Sequence, residues 1–283
     1  MQKHRLTVKN PMLTAPACAL LLALLPLAAE AHRPFLLPST TVVEARDAWV
    51  TVDAAVGENA FEFDTSPLWL DRLSIVGPDG EALAPAQTFT GKRRSVFDVQ
   101  LPKPGSYRIA LVGENAMASY KLNGEAKRWR GSVEALEKEI PAGASELQVT
   151  RIHTRIETVV SSARSGGEAL KPAGIGLEVL PLSAPDEYHA GETARFRVLL
   201  DGKPLPDLKV ALAPGNVRYR GVLREVTAVS DAKGEFSVTW PFAEMYWISA
   251  SYPPAPVVAE GQPRPAMPAR RWTYAGTVEV QAQ

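Results

Sequence analysis

Short alternations of apolar and polar residues, each closed by a turn, run through almost the whole chain after Pro38 and leave room for little except antiparallel β-structure. Trp49-Val50-Thr51-Val52-Asp53-Ala54 has a period of two. Leu70–Val76 is followed by Gly77-Pro78-Asp79-Gly80, in which Pro presets φ and Gly accepts a positive φ. Ser95–Val99, the turn Pro102-Lys103-Pro104-Gly105 and Tyr107–Val112 repeat the pattern. This is the rhythm of a β-sandwich.

One stretch breaks it. Trp129, Val133, Leu136 and Ile140 have the spacing of a short helix, ended by Pro141 and Gly143. Lys127, Arg128, Arg130, Glu134, Glu137 and Glu139 read as its solvated face. Residues 166–174 (GGEALKPAG) lack periodicity and read as a linker between an N-terminal sandwich domain, residues 32–165, and a second module, residues 175–283. There Leu177–Leu182, Thr193–Leu200, Lys209–Leu212, Val226–Ser230, Glu235–Trp240, Trp247–Tyr252 and Thr277–Val280 read as strands. Asp201-Gly202 is the strongest hairpin turn in the chain. Pro253–Pro268 reads as a long Pro-rich loop. The expected fold class is all-β: two β-sandwich modules, the C-terminal one immunoglobulin-like, with a short helix in the first.

The first 31 residues have the composition of a cleavable leader. Lys3, Arg5 and Lys9 precede the apolar run Ala17–Ala29, and Ala29-Glu30-Ala31 gives a small-x-small cleavage pattern. The run is shorter than the ~20 residues a membrane span needs. Cys18 lies inside it without the setting of a lipid-anchored cysteine. Cleavage after Ala31 leaves no cysteine, so stability must come from burial rather than disulfides. The whole chain is neutral, with Lys+Arg 31 and Asp+Glu 31; loss of Lys3, Arg5, Lys9 and Glu30 leaves 28 against 30. A nucleic-acid binder usually has a basic surplus, and none is present. The expected location is periplasmic.

The same cut would make His32 the first residue of the mature chain. A terminal histidine joins an α-amine, with an ordinary pKa of about 8, to an imidazole in one chelate. Pro34 has no backbone N–H, so successive amide nitrogens cannot wrap an ion beyond Arg33. Further ligands must come from elsewhere. Three histidines follow the leader, His32, His153 and His189, and these are the candidate metal ligands. Alternation places Ile152, Ile156 and Val160 on one strand face and Arg151, His153, Arg155 and Glu157 on the other. The two arginines oppose a cation and lower the histidine pKa; the same face could hold an anion instead. His189, in Pro185-Asp186-Glu187-Tyr188-His189, has acidic neighbours but reads as an exposed turn residue. Asp53, Glu58 and Asp64 are possible carboxylate ligands with no spacing that selects one.

Enzyme signatures are missing: the sequence has no nucleophile elbow, His-Glu-x-x-His pair, phosphate loop or dinucleotide fingerprint. Trp240, Tyr246, Trp247, Tyr252, Trp272 and Tyr274 read as packing residues, or alternatively as a platform for sugar rings.

Four stretches resemble the DUF4198 family of bacterial exported proteins. They are Ala31-His32 followed by Phe35-Leu36-Leu37-Pro38; Arg155–Val160; Gly176–Leu182 with Gly191-Glu192 and Phe196–Leu205; and Ser230–Phe236. Together they span nearly the full mature chain, although the last two also fit generic immunoglobulin-like repeats. Leu36 stands where the family commonly has Trp, so a role for that aromatic does not carry over. The resemblance implies an exported two-part β protein associated with nickel or cobalt uptake, and an envelope metal transporter is the partner such a role calls for. The expectation is therefore a non-enzymatic accessory protein that binds nickel, cobalt or copper through His32, with His153 and His189 as further ligands. The rivals are a structural or adhesive envelope module, with carbohydrate binding by the C-terminal aromatics, and a copper oxidative enzyme using a similar chelate.

Overall fold

Alternation becomes strand wherever one side chain in two can be taken out of water. In Ala48–Gly57, the side chains of Ala48, Val50, Val52 and Ala54 are buried while Trp49 and Thr51 are exposed. A computed structural model describes residues 32–44, 46–254 and 266–283. The leader, its cleavage point and most of the Pro-rich loop lie outside the described residues.

In chain order the first strands are β1 (Arg33–Pro38), β2 (Val42–Val43), β3 (Ala48–Gly57), β4 (Ser66–Pro67), β5 (Leu73–Val76), β6 (Ala82–Leu83), β7 (Ala86–Thr90) and β8 (Ser95–Leu101). Then come β9 (Gly105–Leu122), β10 (Glu125–Ser132), helix α1 (Val133–Glu139) and β11 (Ser145–Ser162). The later part contributes β12 (Leu177–Pro181), β13 (Thr193–Leu200), β14 (Lys203–Pro204), β15 (Lys209–Pro214) and the single helical turn α2 (Val217–Arg220). It closes with β16 (Val226–Val229), β17 (Glu235–Thr239), β18 (Glu244–Tyr252) and β19 (Arg270–Val280).

These strands make three sheets. The first has the order β1-β3-β8-β7, with β4 on β3. The second, of ten strands, runs β16-β15-β18-β19-β11-β9-β5-β6, with β10 on β9 and β2 on β11. The third is β12-β13-β14, with β17 on β13. The fold is all-β. One sandwich encloses a core around Phe35, Val52, Phe97, Tyr107 and Ile109. The other, immunoglobulin-like in its two antiparallel faces, encloses Phe196, Phe236, Trp240, Tyr246 and Tyr274.

The large sheet carries strands from both sandwiches. β11 and β19 lie parallel, from Arg151 opposite Arg270 to Thr158 opposite Thr277. Residues 166–174 run between the two cores and are fastened along their length. Glu168 N–H donates to the Pro78 carbonyl at 2.7 Å, and Arg108 donates to the Lys171 carbonyl at 2.6 Å. The Glu178 carboxylate accepts from the N–H groups of Ala173 and Gly174.

The turns follow their residues. Asp201 and Gly202 have φ of 49° and 75°, the positive pair a type I′ hairpin requires, and they join β13 to β14 with Leu200 opposite Lys203. The Asp231 carboxylate accepts from the N–H groups of Lys233 and Glu235, which carries the chain from β16 in the second sheet to β17 in the third.

The helix is shorter than its apolar spacing suggests. Residues 125–132 form β10, paired to β9 with Trp129 opposite Ala118, and only Val133–Glu139 is helical. Two interactions explain the boundary. Ser132 is the N-cap, its hydroxyl accepting from Ala135 N–H at 3.2 Å. The Trp129 indole lies over Gly131, where a Cβ would collide with it, and donates from Nε1 to Glu139 at 2.8 Å. Pro141 follows the helix end.

Candidate functional site around the start of the first strand

The residues behind His32 are held from several sides. Arg33 is 6% exposed, its guanidinium lies 5.0 Å from the centre of the Trp247 ring, and Nη2 is 3.9 Å from Glu225. Trp247 Nε1 donates to the Pro34 carbonyl at 2.8 Å. Pro34 therefore lacks a donor but uses its acceptor. Phe35 is buried and meets Phe61 and Phe63 edge-on, with ring centres 5.3 and 5.5 Å away. Leu36, at the position where the resemblance gives Trp, is fully buried.

β1 pairs with β3 from Pro38 opposite Val52 to Arg33 opposite Gly57. The paired register ends there, with His32 and Glu58 the next residues beyond it on the two chains. His32 is exposed. Glu58 N–H donates to Asp64 Oδ1 at 3.0 Å, so two of the three carboxylates considered from sequence belong to this end of the strand pair. Asp53 does not. It sits opposite Leu37, four residues or about 13 Å from Gly57 at the usual strand rise. It pairs with Arg94 at 3.2 Å, and burial pushes its carboxyl up against the lowering effect of Arg94.

His153 lies in β11, opposite Glu114 of β9 and Trp272 of β19. Its imidazole covers Gly176, whose φ of 75° and lack of a Cβ both suit the close approach. Nδ1 is buried without a hydrogen-bond partner. Burial first, then Arg155, hold its pKa below the ordinary value, against weaker upward effects of Glu114 and Asp201. Arg155 is already occupied: it is 3% exposed, pairs with Glu157 at 3.2 Å and donates to the Ile175 carbonyl at 3.0 Å. Of the two arginines an anion on this face would use, Arg155 is thus engaged inside the protein, while Arg151 is exposed.

His189 sits in a loop that forms a bridge to Gln281. Its Nδ1 is 3.1 Å from the Glu187 carbonyl and 3.7 Å from the Glu192 carboxylate. The three histidines thus stand just before β1, in the middle of β11 and in a separate loop. Among the described residues, no three His, Cys, Asp or Glu side chains gather in a metal-holding group. Sequence reasoning missed Trp247 and Glu225. Nothing local announces that residues more than 190 positions downstream brace the first strand.

The C-terminal aromatics are mostly core. Trp240 and Tyr246 are each 1% exposed, and Trp247 and Tyr274 are also buried. Trp240 packs against Tyr188 and Tyr246, with ring centres 5.6 and 4.9 Å away. Tyr252 and Trp272 are half-buried and pack on each other. No described helix is long and apolar enough to cross a membrane.

A family model described as "Domain of unknown function (DUF4198)" matches residues 29–253. No curated protein matches the chain. Among solved structures, the D0-D1 domain of intimin is similar at 14% identity, covering 87% of this chain and 96% of that one, with a TM-score of 0.23.

Proposed function

The chain belongs to the DUF4198 family, and from its terminal histidine together with the metal uptake that the resemblance implies we propose that it is an exported, non-enzymatic accessory protein that carries a transition metal ion at its mature N-terminus. In this reading a signal peptidase removes residues 1–31 in the periplasm. His32 then supplies amine and imidazole to nickel, cobalt or copper, and an envelope transporter receives the ion. The observation that supports the reading is the clamping of Arg33 and Pro34 by Trp247 and Glu225. A terminal chelate attached to so fixed a strand is held in one place rather than waving in solvent. A two-donor chelate from His32 alone leaves coordination positions open, which suits an ion that must be passed on. His153 and His189 stand on other elements and take no part in this first contact.

The test has two steps. Intact mass of the exported protein should place residue one at His32. Calorimetric titration with copper and nickel should then show one site that disappears in His32→Ala. A different first residue, or undiminished binding by the variant, would remove the proposal's basis.

A further inference from the structure

The outer part of β9, together with β10, α1 and the beginning of β11, forms a small three-stranded extension with an unfinished edge. β10 pairs with β9 over Glu125–Ser132, and no other strand pairs with it among the described residues. The outer edge of this eight-residue strand offers a row of backbone donors and acceptors to any extended chain that matches it.

Its two faces differ. Trp129 and Gly131 stand opposite Ala118 and Ala116, both buried, on the side that Trp129 links to α1 through Glu139. Arg128 and Arg130 stand opposite Ser119 and Met117 on the other side, and all four are exposed. Neighbouring cations are already paired: Lys127 with Glu125 at 2.7 Å and Lys121 with Glu146 at 2.8 Å. Arg128 and Arg130 have no carboxylate within ion-pair distance among the described residues.

We propose that the outer edge of β10 accepts an extended, acidic segment of a partner protein as a further strand. The spacing defines the segment. Arg128 and Arg130 are two apart on one face, so the added strand would carry acidic residues at alternate positions. The residue between them would turn to the Trp129 side and be apolar. Opposite charges across adjacent strands are favourable, whereas like charges directly opposed are not. A second copy of this chain is therefore a poor occupant, because pairing β10 with itself brings Lys127, Arg128 and Arg130 against one another. This proposal does not depend on the metal reading.

The experiment uses the full mature chain and synthetic heptapeptides, followed by amide NMR at low salt. The first peptide alternates glutamate with valine. The second has the same composition with its glutamates in one block, and the third is the alternating peptide N-methylated at every second residue. The alternating peptide should shift amides of residues 125–132. Arg128→Glu with Arg130→Glu should weaken it by at least about five-fold, as expected for two cross-strand pairs. The other two peptides should bind at least as much more weakly. Amide shifts confined elsewhere, no binding, or equal binding of all three peptides would overturn the proposal. So would equal or tighter binding of inorganic polyphosphate, which would indicate charge attraction without strand addition. Circular dichroism of the double variant separates lost binding from lost fold. Should that variant unfold, the N-methylated peptide against the wild-type chain decides the same question.

Discussion

The two cores solve the same problem with different residues. The N-terminal core is mainly small and aliphatic, with Val50, Val52, Ala54, Ala55, Val99 and Ile109 around the rings of Phe35, Phe97 and Tyr107. The C-terminal core is a connected set of rings: Phe196 stacks on Phe236 at 5.2 Å, and Trp240 touches Tyr188, Phe196 and Tyr246. The difference shows where each core can tolerate change. The aromatic core concentrates its packing in few large residues, whereas the aliphatic core distributes it over many small ones. Only the first contains β1 and therefore controls the placement of the terminus.

The largest effect should come from Trp240→Ala, which would empty the centre of the aromatic cluster and destabilise the protein by about 4 kcal/mol. Thermal unfolding would measure it. Metal titration of the still-folded variant should be unchanged, because no part of the first strand is touched. Loss of the site in that variant would mean that the two cores do not divide the work as described.

Arg155→Ala comes next, at about 3 kcal/mol, measured by urea denaturation. It leaves the buried Glu157 carboxylate without its cation. Both residues lie in β11, which gives Ile156 and Val160 to the first core and pairs with β19, whose Tyr274 belongs to the second, so both cores should lose stability together. Phe35→Leu nearly conserves volume and should cost about 1 kcal/mol. It should nevertheless weaken copper binding by loosening β1, an outcome opposite in balance to that of Trp240→Ala.

The smallest effects follow pH. His153 has its pKa lowered on folding by burial and by Arg155, so the folded state binds fewer protons than the unfolded one. Its contribution is present above the ordinary histidine value of about 6.5 and is lost as pH falls from there toward the lowered folded value. His153→Gln should flatten the fall in stability that sets in as pH drops below about 6.5 in denaturation experiments. Glu235 behaves similarly at lower pH. Hydrogen bonds from Arg197, and then Arg195, outweigh burial and lower its pKa, so its stabilisation fades as pH falls below the usual glutamate range. Arg197→Ala should reduce that acid sensitivity in the C-terminal sandwich alone.

Much of the fold was legible because period-two alternation and turn chemistry are local. Asp201-Gly202 and Gly77–Gly80 could be placed as turns before any partner strand was known. The β11–β19 pairing was not legible, since it joins residues 119 positions apart and leaves no local trace. Trp129 misled the helix boundary because its spacing to Val133 suits a helix, while its indole has a better place over Gly131 on a strand. The polar face of β11, read as a place for a cation or an anion, hides an internal ion pair for a related reason. Arg155 and Glu157 alternate like surface residues, yet both sides of that strand are covered and the charges satisfy each other. At the proposed site, the sequence singled out His32 but did not choose among Asp53, Glu58 and Asp64, because strand register rather than spacing separates Asp53 from the other two. The bracing by Trp247 and Glu225 depends on long-range folding.

The most direct measurement is a copper titration comparing the chain that begins at His32 with the same chain acetylated at its α-amine. Acetylation keeps the imidazole, the strand and every carboxylate, but removes the free amine as a donor. The account predicts at least a tenfold loss of affinity, with the stability of the metal-free proteins unchanged. Equal affinity in the two chains would contradict it and place the ion, if one is bound, away from the terminus.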